Sequence, residues 1–146
     1  MNKRSLTAAL SFFSALVFSA SALSATVQLT DVKVRELLPG RMMTAGYLTL
    51  ENTGKEAVVL TGVTSPAFAE IELHEHVHQD GMMKMQQLQQ VEVAAGQRVT
   101  FQPGGLHLMM FDAKSALKAG DKVSLSFQFS DGSSAQQQAD VVAVTQ

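Results

Sequence analysis

The residues able to do metal chemistry fall into two short segments. All four histidines lie in Glu72-Leu73-His74-Glu75-His76-Val77-His78 and Leu106-His107-Leu108-Met109. Five of the seven methionines that follow Met1 lie in or beside the same segments: Met82, Met83, Met85, Met109 and Met110. Methionine ordinarily fills cores, but here its thioethers gather around imidazoles. Thioether sulfur is a soft, neutral donor suited to Cu(I), and neutral imidazole tolerates the same ion. Zn(II) prefers imidazole, carboxylate or thiolate, and Cu(II) favours harder nitrogen and oxygen donors. Two segments, each with His and Met on one face, suggest a His2Met2 site. With two thioethers and no acid it favours the cuprous ion, and four neutral ligands suit transfer better than storage.

The spacing is that of strands, in which residues two apart share a face. His107 and Met109 then point one way, and Leu106, Leu108 and Met110 point the other way, toward a core. In the first segment Ile71, Leu73 and Val77 make an apolar face, with Glu75 as an exception, while His74, His76 and His78 make the opposite one. Asp80-Gly81 is a strong hairpin signal. A two-residue loop pairs Gln79 with Met82, His78 with Met83 and His76 with Met85. It sets His74 opposite Gln87, with Met85 as a diagonal neighbour at about 7–8 Å. An odd-length loop would turn Met85 to the other face. The even loop brings Met85 within reach of His74 or His76, and the spacing leaves both open. Glu75 interrupts the apolar alternation, so a bulge or a strand edge is expected there. It is also a candidate for orienting a ligating histidine.

The elements that must position these groups are short strands. From Thr26 onward the hydrophobic period is two, through Val27 to Val34, Tyr47 to Leu50, Val58 to Leu60, Ile71 to Leu73, Val91 to Val93, Val99 to Phe101, Leu106 to Met110, Val123 to Phe129 and Ala139 to Val144. Gly-containing turns separate them. Eight or nine strands at this spacing predict a single all-β domain, a β-sandwich or Greek-key barrel. The only helix-like stretch, Asp112 to Lys118, allows one or two turns. Gln86 to Gln90 and Gln136 to Gln138 read as polar strand faces, Tyr47 as core, and Met42 and Met43 as packing or loop residues.

Length and composition bound the rest. A chain of 146 residues, 46% of them apolar, suits one domain. A charged fraction of 16% and a net charge of −2 give no basic field for nucleic acid. The absence of cysteine excludes disulfides, zinc-thiolate and iron-sulfur sites, cysteine nucleophiles and the thiolate of a blue-copper electron carrier. Lys3 and Arg4 precede an apolar run from Ala8 to Phe18 and small-residue cleavage sites ending at Ala25, the layout of a secretory signal. Residues 1–25 are therefore expected to be removed and residues 26–146 to form the domain. Removal takes away two basic residues and no acidic one, leaving a more acidic protein. No later segment is long and apolar enough to span a membrane, and a periplasmic monomer is expected.

The order His74, ten residues, Met85, twenty-one residues, His107, one residue, Met109 resembles the H-x10-M-x21-H-x-M signature of the periplasmic copper chaperone family PCu(A)C. The stretches Ala45-Gly46-Tyr47-Leu48-Thr49-Leu50-Glu51-Asn52, Val63-Thr64-Ser65-Pro66 and Pro103-Gly104-Gly105-Leu106-His107-Leu108-Met109 also look like that family. The likeness runs from Val27 to Phe129, nearly the whole chain after the signal. It implies a cupredoxin-like sandwich that binds one Cu(I) through His74, Met85, His107 and Met109 near the surface. It favours His74 over His76. It also implies delivery of copper toward the CuA centre of cytochrome c oxidase, with Sco-type thiol proteins or oxidase subunit II as acceptors. His76 and His78 are extra imidazoles, candidates for a second copper as Cu(II) or for replacing His74.

Rival readings differ in what they leave unexplained. A His-x-His zinc or iron enzyme using His74, His76 and His78, with Glu70, Glu72 or Glu75 as carboxylate, gives no role to Met85 and Met109. No Ser-His-Asp arrangement or nucleophile elbow is visible, so an enzyme is not expected. Copper sequestration or resistance would use the same site as a chaperone. Partner transfer and affinity separate the two.

Overall fold

Alternation of buried and outward side chains builds ten strands in the computed structural model, which describes residues 26–144. The expected signal segment, residues 1–25, lies outside the described residues, as do residues 145 and 146. The strands are β1 (Val27–Arg35), β2 (Thr44–Asn52), β3 (Val58–Thr64), β4 (Phe68–Gln79), β5 (Met82–Leu88), β6 (Val91–Val93), β7 (Arg98–Phe101), β8 (Leu106–Ala113), β9 (Lys122–Phe129) and β10 (Ser134–Val142). The count exceeds the eight or nine expected because the polar β5, which lacks an apolar alternation of its own, pairs with β4 as the second arm of the hairpin. No helix is found among the described residues.

The strands follow the order β5-β4-β8-β2-β1-β10-β9-β3-β6, with β7 joined to β2. Every pairing is antiparallel except β1 with β10. β2 divides its free edge, pairing Thr44–Gly46 with β8 and Leu48–Glu51 with β7. The sheet turns over on itself, so that inner faces of both halves bury one core. Leu48, Leu50, Leu108 and Met110 come from one half, and Leu60, Val93, Leu125 and Phe127 from the other. This is the cupredoxin-like sandwich in a single domain.

Asn52, at the end of β2, ties the two halves together. It is fully buried. Its Nδ2 donates to the carbonyls of Glu56 at 2.7 Å and Val93 of β6 at 3.0 Å, and its Oδ1 accepts from the Gly54 amide at 2.9 Å. The sequence Asn52-Thr53-Gly54-Lys55 marks a turn, but nothing local shows that its asparagine reaches a strand forty-one residues away.

Two local expectations change. Asp112 and Ala113 end β8, and the residues to Lys118 are not helical. Their amides bond outward instead, Ala113 to the Met42 carbonyl and Lys114 to the Ala67 carbonyl, each at 3.0 Å. Tyr47 is not core. Gly46 and Leu48 take the inward positions of β2, and the outward Tyr47 ring lies under the Arg35 guanidinium, 5.2 Å from its carbon, a cation–π contact. Met42 and Met43 lie exposed in the loop before β2, the loop alternative of the two. The glutamines behave as expected in part: Gln136 to Gln138 are exposed residues of β10 and Gln86 and Gln87 of β5, whereas Gln89 and Gln90 lie in the link to β6.

The β4–β5 hairpin has the two-residue turn expected. Asp80 and Gly81 take φ of 54° and 75°, the two positive values that a type I′ turn requires. Gln79 faces Met82, His78 faces Met83, His76 faces Met85 and His74 faces Gln87.

Two stability measurements check these features. Asn52→Ala removes the donor to the buried Val93 carbonyl as well as the bond to Glu56 and is expected to cost about 1–3 kcal/mol in denaturant unfolding. Gly81→Val forces a β-branched residue to positive φ and is expected to cost about 1–2 kcal/mol, with the loss of amide-exchange protection centred on β4 and β5.

Candidate metal centre

Three strands, β5-β4-β8, carry the candidate donors. The β4–β8 register runs unbroken from Phe68 opposite Ala113 to Glu75 opposite Leu106, and sets His74 opposite His107 and Glu72 opposite Met109. No bulge forms at Glu75. It stands where β8 begins, the strand-edge alternative of the two. With both registers in phase, Met85, His74, His76, Glu72, His107 and Met109 all fall on one face of the sheet. The opposite face of the same strands carries Leu73, Leu108 and Met110, which are buried.

His107 is the deepest of the donors, 4% exposed. Its Nδ1–H donates to the Gly105 carbonyl at 3.0 Å. The same carbonyl accepts the backbone amide of His76 at 3.3 Å. In this tautomer the neutral ring keeps its lone pair on Nε2. The Met85 sulfur lies 3.1 Å from that nitrogen. Neither atom then carries a proton, so two lone-pair donors face each other, an arrangement that a soft cation resolves. Burial pushes the His107 pKa below its ordinary 6.5. The Gly105 hydrogen bond opposes the shift, and the nearby His76 and His74 add to it. A depressed pKa keeps the ring in its ligating form, since a metal binds only the deprotonated nitrogen.

His74 is oriented from the other side. Its Nε2–H donates to the Glu72 carboxylate at 2.6 Å, and its Nδ1 is buried without a hydrogen-bond partner. A carboxylate that holds one ring nitrogen so that the other faces a metal is the usual outer-shell device. Glu72 takes that place rather than Glu75. Residues two apart share a face, so Glu72 stands beside His74 while Glu75 points away. His76 Nδ1 is buried and unpartnered as well. Leaving a buried polar atom unpaired costs about 1–3 kcal/mol, so two adjacent orphans call for a partner.

The rings are close together. His76 stacks on His107 with centroids 4.9 Å apart and planes at 26°, and His74 lies 5.7 Å from His107 at 41°. Met109 is half-buried on the same face, two residues beyond His107. It lines a cavity of about 200 Å3 with Arg35, Arg41 and Met43. His78 stays exposed opposite the exposed Met83, and Met85 is 47% exposed on the edge strand. The structure thus gathers His74, His76, His107 and Met85, sets Met109 next along the face, and leaves His78 outside. Among the described residues, no three His, Asp or Glu side chains already converge as a metal site. The unpaired nitrogens and the thioether sulfur beside them are neutral donors of the kind that suit a soft ion.

The family model described as "Putative lipoprotein LpqE-like" matches residues 27–141. The protein named "Putative lipoprotein Lxx21020" from Leifsonia xyli subsp. xyli is 38% identical over 95 residues, 64% of this chain and 57% of that protein. The chain thus spans little more than half the length of that relative. Among solved structures, the apo PCuAC domain from PmoF1 superposes with a TM-score of 0.69 at 19% identity, over 82% of this chain and 95% of that one. The Cu(I) form of DR1885 from Deinococcus radiodurans gives a TM-score of 0.63 at 28% identity, over 76% of this chain and 74% of that one. The chain belongs to the LpqE-like family, and its fold is that of the PCuAC domains.

Proposed function

We propose that the chain is an exported copper carrier that binds one Cu(I) through His74, Met85, His107 and Met109 and passes it to an acceptor protein. One observation carries the reading: the unprotonated Nε2 of the buried His107 faces the Met85 sulfur at 3.1 Å, beside the buried, unpartnered Nδ1 of His74. The similarity to the Cu(I) form of DR1885 supports copper as cargo. The lipoprotein name of the Leifsonia relative and the signal-like residues 1–25 support export, with the periplasm as the compartment. Among the described residues no helix is long and apolar enough to cross a membrane.

The donor set explains transfer better than catalysis. Two imidazoles and two thioethers add no charge to Cu(I), so an anionic thiolate on a partner is the stronger soft ligand and can displace them. Met85, half-exposed on the edge strand, is the donor that such a thiolate reaches first. Sco-type thiol proteins and cytochrome c oxidase subunit II fit as acceptors, which gives the carrier a place in assembly of the CuA centre. Sequestration would use the same ligands without an acceptor. The His-x-His enzyme reading is less well supported, because Glu72 is engaged by His74 and Glu70 and His78 are exposed. A separate second copper, as Cu(II) on His76 and His78, would rest on the exposed His78, which stands opposite the exposed Met83.

An anaerobic titration against a chromophoric Cu(I) chelator tests the site. One tight equivalent is expected, with affinity falling by about tenfold or more in His74→Ala, Met85→Leu, His107→Ala and Met109→Leu. Tight Zn(II) binding that ignores Met109 would sink the reading. Glu72→Gln keeps the size of the side chain but removes its charge, and it is expected to weaken Cu(I) by about 10–100-fold in the same titration.

A further inference from the structure

The four proposed Cu(I) ligands leave one buried donor of the same face unused. His76 lies directly opposite Met85 in the β4–β5 register. Its ring is stacked on His107 at 4.9 Å, and its Nδ1 is buried with no partner. A buried ring nitrogen without a partner is costly, and a bound cation would offset that cost at Nδ1. We infer that His76 is an exchangeable ligand, through which the one site also holds Cu(II), by replacing the Met85 sulfur with a third imidazole nitrogen.

The inference rests on the Cu(I) reading of the same site and follows from the preferences of the two ions. Cu(II) favours nitrogen and oxygen donors in a tetragonal arrangement and binds thioether weakly. His74 and His107 alone supply two nitrogens. The one carboxylate at the site, Glu72, is already held by His74, so it is not a free ligand. His76 can add a nitrogen without recruiting another strand. In the metal-free arrangement the three rings do not converge. A turn of the His76 side chain out of its stack brings Nδ1 toward His107 Nε2, while Met85 swings outward from the edge strand where it is already half-exposed. His76 and Met85 are cross-strand partners, so one can take the place of the other with β4 and β5 still paired. His78, on the same face, is exposed and opposite Met83, and it takes no part. Each ion is bound as supplied, and no electron transfer by the protein is involved.

The test loads the protein separately with Cu(I) under anaerobic conditions and with Cu(II) in air. It reads affinity by chelator competition and the number of nitrogen ligands by electron paramagnetic resonance of the Cu(II) form. His76→Phe keeps a ring against His107 but removes both nitrogens; His76→Gln is the second variant should the larger ring unsettle the fold. Wild type is expected to show three coupled nitrogens. The His76 variants are expected to show two, with Cu(II) affinity lowered at least about tenfold and Cu(I) affinity changed by less than about threefold. His78→Ala is expected to leave both ions as in wild type. An unchanged Cu(II) signal in the His76 variants overturns the inference. So does loss of a nitrogen in His78→Ala, which assigns Cu(II) to the exposed His76–His78 pair. Equal loss of both ions in the His76 variants overturns it too, making His76 a permanent ligand. Failure of the underlying reading is separate: wild type would then bind no Cu(I), or bind it regardless of His107→Ala and Met85→Leu.

Discussion

The donor face of this protein depends on the parity of one turn. Asp80 and Gly81 place an even number of residues between β4 and β5, and their two positive φ angles let the strands leave the turn with matching twist. Parity then propagates along both strands, because side chains alternate strictly between faces. Adding one residue to the loop would send the Met85 sulfur to the side of Leu73 and leave His107 facing a different residue. The β4–β8 register is equally regular. The relative placement of groups on three strands therefore reduces to two integers, with no insertion or bulge between Phe68 and Leu88 to disturb them.

A second economy lies in the carbonyl of Gly105. It receives both the His107 ring and the His76 backbone amide. That single acceptor sets the tautomer of the deepest imidazole and fixes the point where β4 runs past the start of β8. On the opposite flank, Glu72 does for His74 what Gly105 does for His107, with a carboxylate in place of a backbone oxygen. Each imidazole is thus held by one nitrogen and left with the other. Because the apolar side chains of these strands turn the other way, the sandwich core and the donor face share a backbone but few side-chain contacts. Asn52 closes the sandwich at a distance from the donors, through groups that none of them touch.

Local features were readable from the amino-acid order, and non-local ones were not. The Asp-Gly turn, the cross-strand partners His76–Met85 and His78–Met83, and the shared face of His107 and Met109 all follow from alternation within a few residues of a recognisable turn. The meeting of β4 with β8 does not, since about thirty residues separate them and no turn residue encodes a register across that gap. So the stacking of His76 on His107 was invisible, whereas the partnership of Glu72 with His74 lay within the alternation of one strand and was passed over for the irregular Glu75. Tyr47 misled because an aromatic residue in a strand suggests burial. Gly46 is the inward residue beside it, at a point where an added Cβ would come within 2.9 Å of the Met110 methyl. Asp112 to Lys118 misled in the opposite sense, as its amides find carbonyls on neighbouring segments and need no helix.

β5 has a neighbour on one side only, and all of its residues but Leu88 are exposed. A strand held by a single ladder is the first part of a sheet to open, at a free energy well below that of global unfolding. When β5 lifts from β4 it carries the Met85 sulfur away from His107 while the buried half of the molecule stays intact. The lifetime of that sulfur–nitrogen contact is thus set by the fraying of a seven-residue edge, and the solvent-facing Lys84 at its middle discourages a second chain from pairing along the same edge and stiffening it.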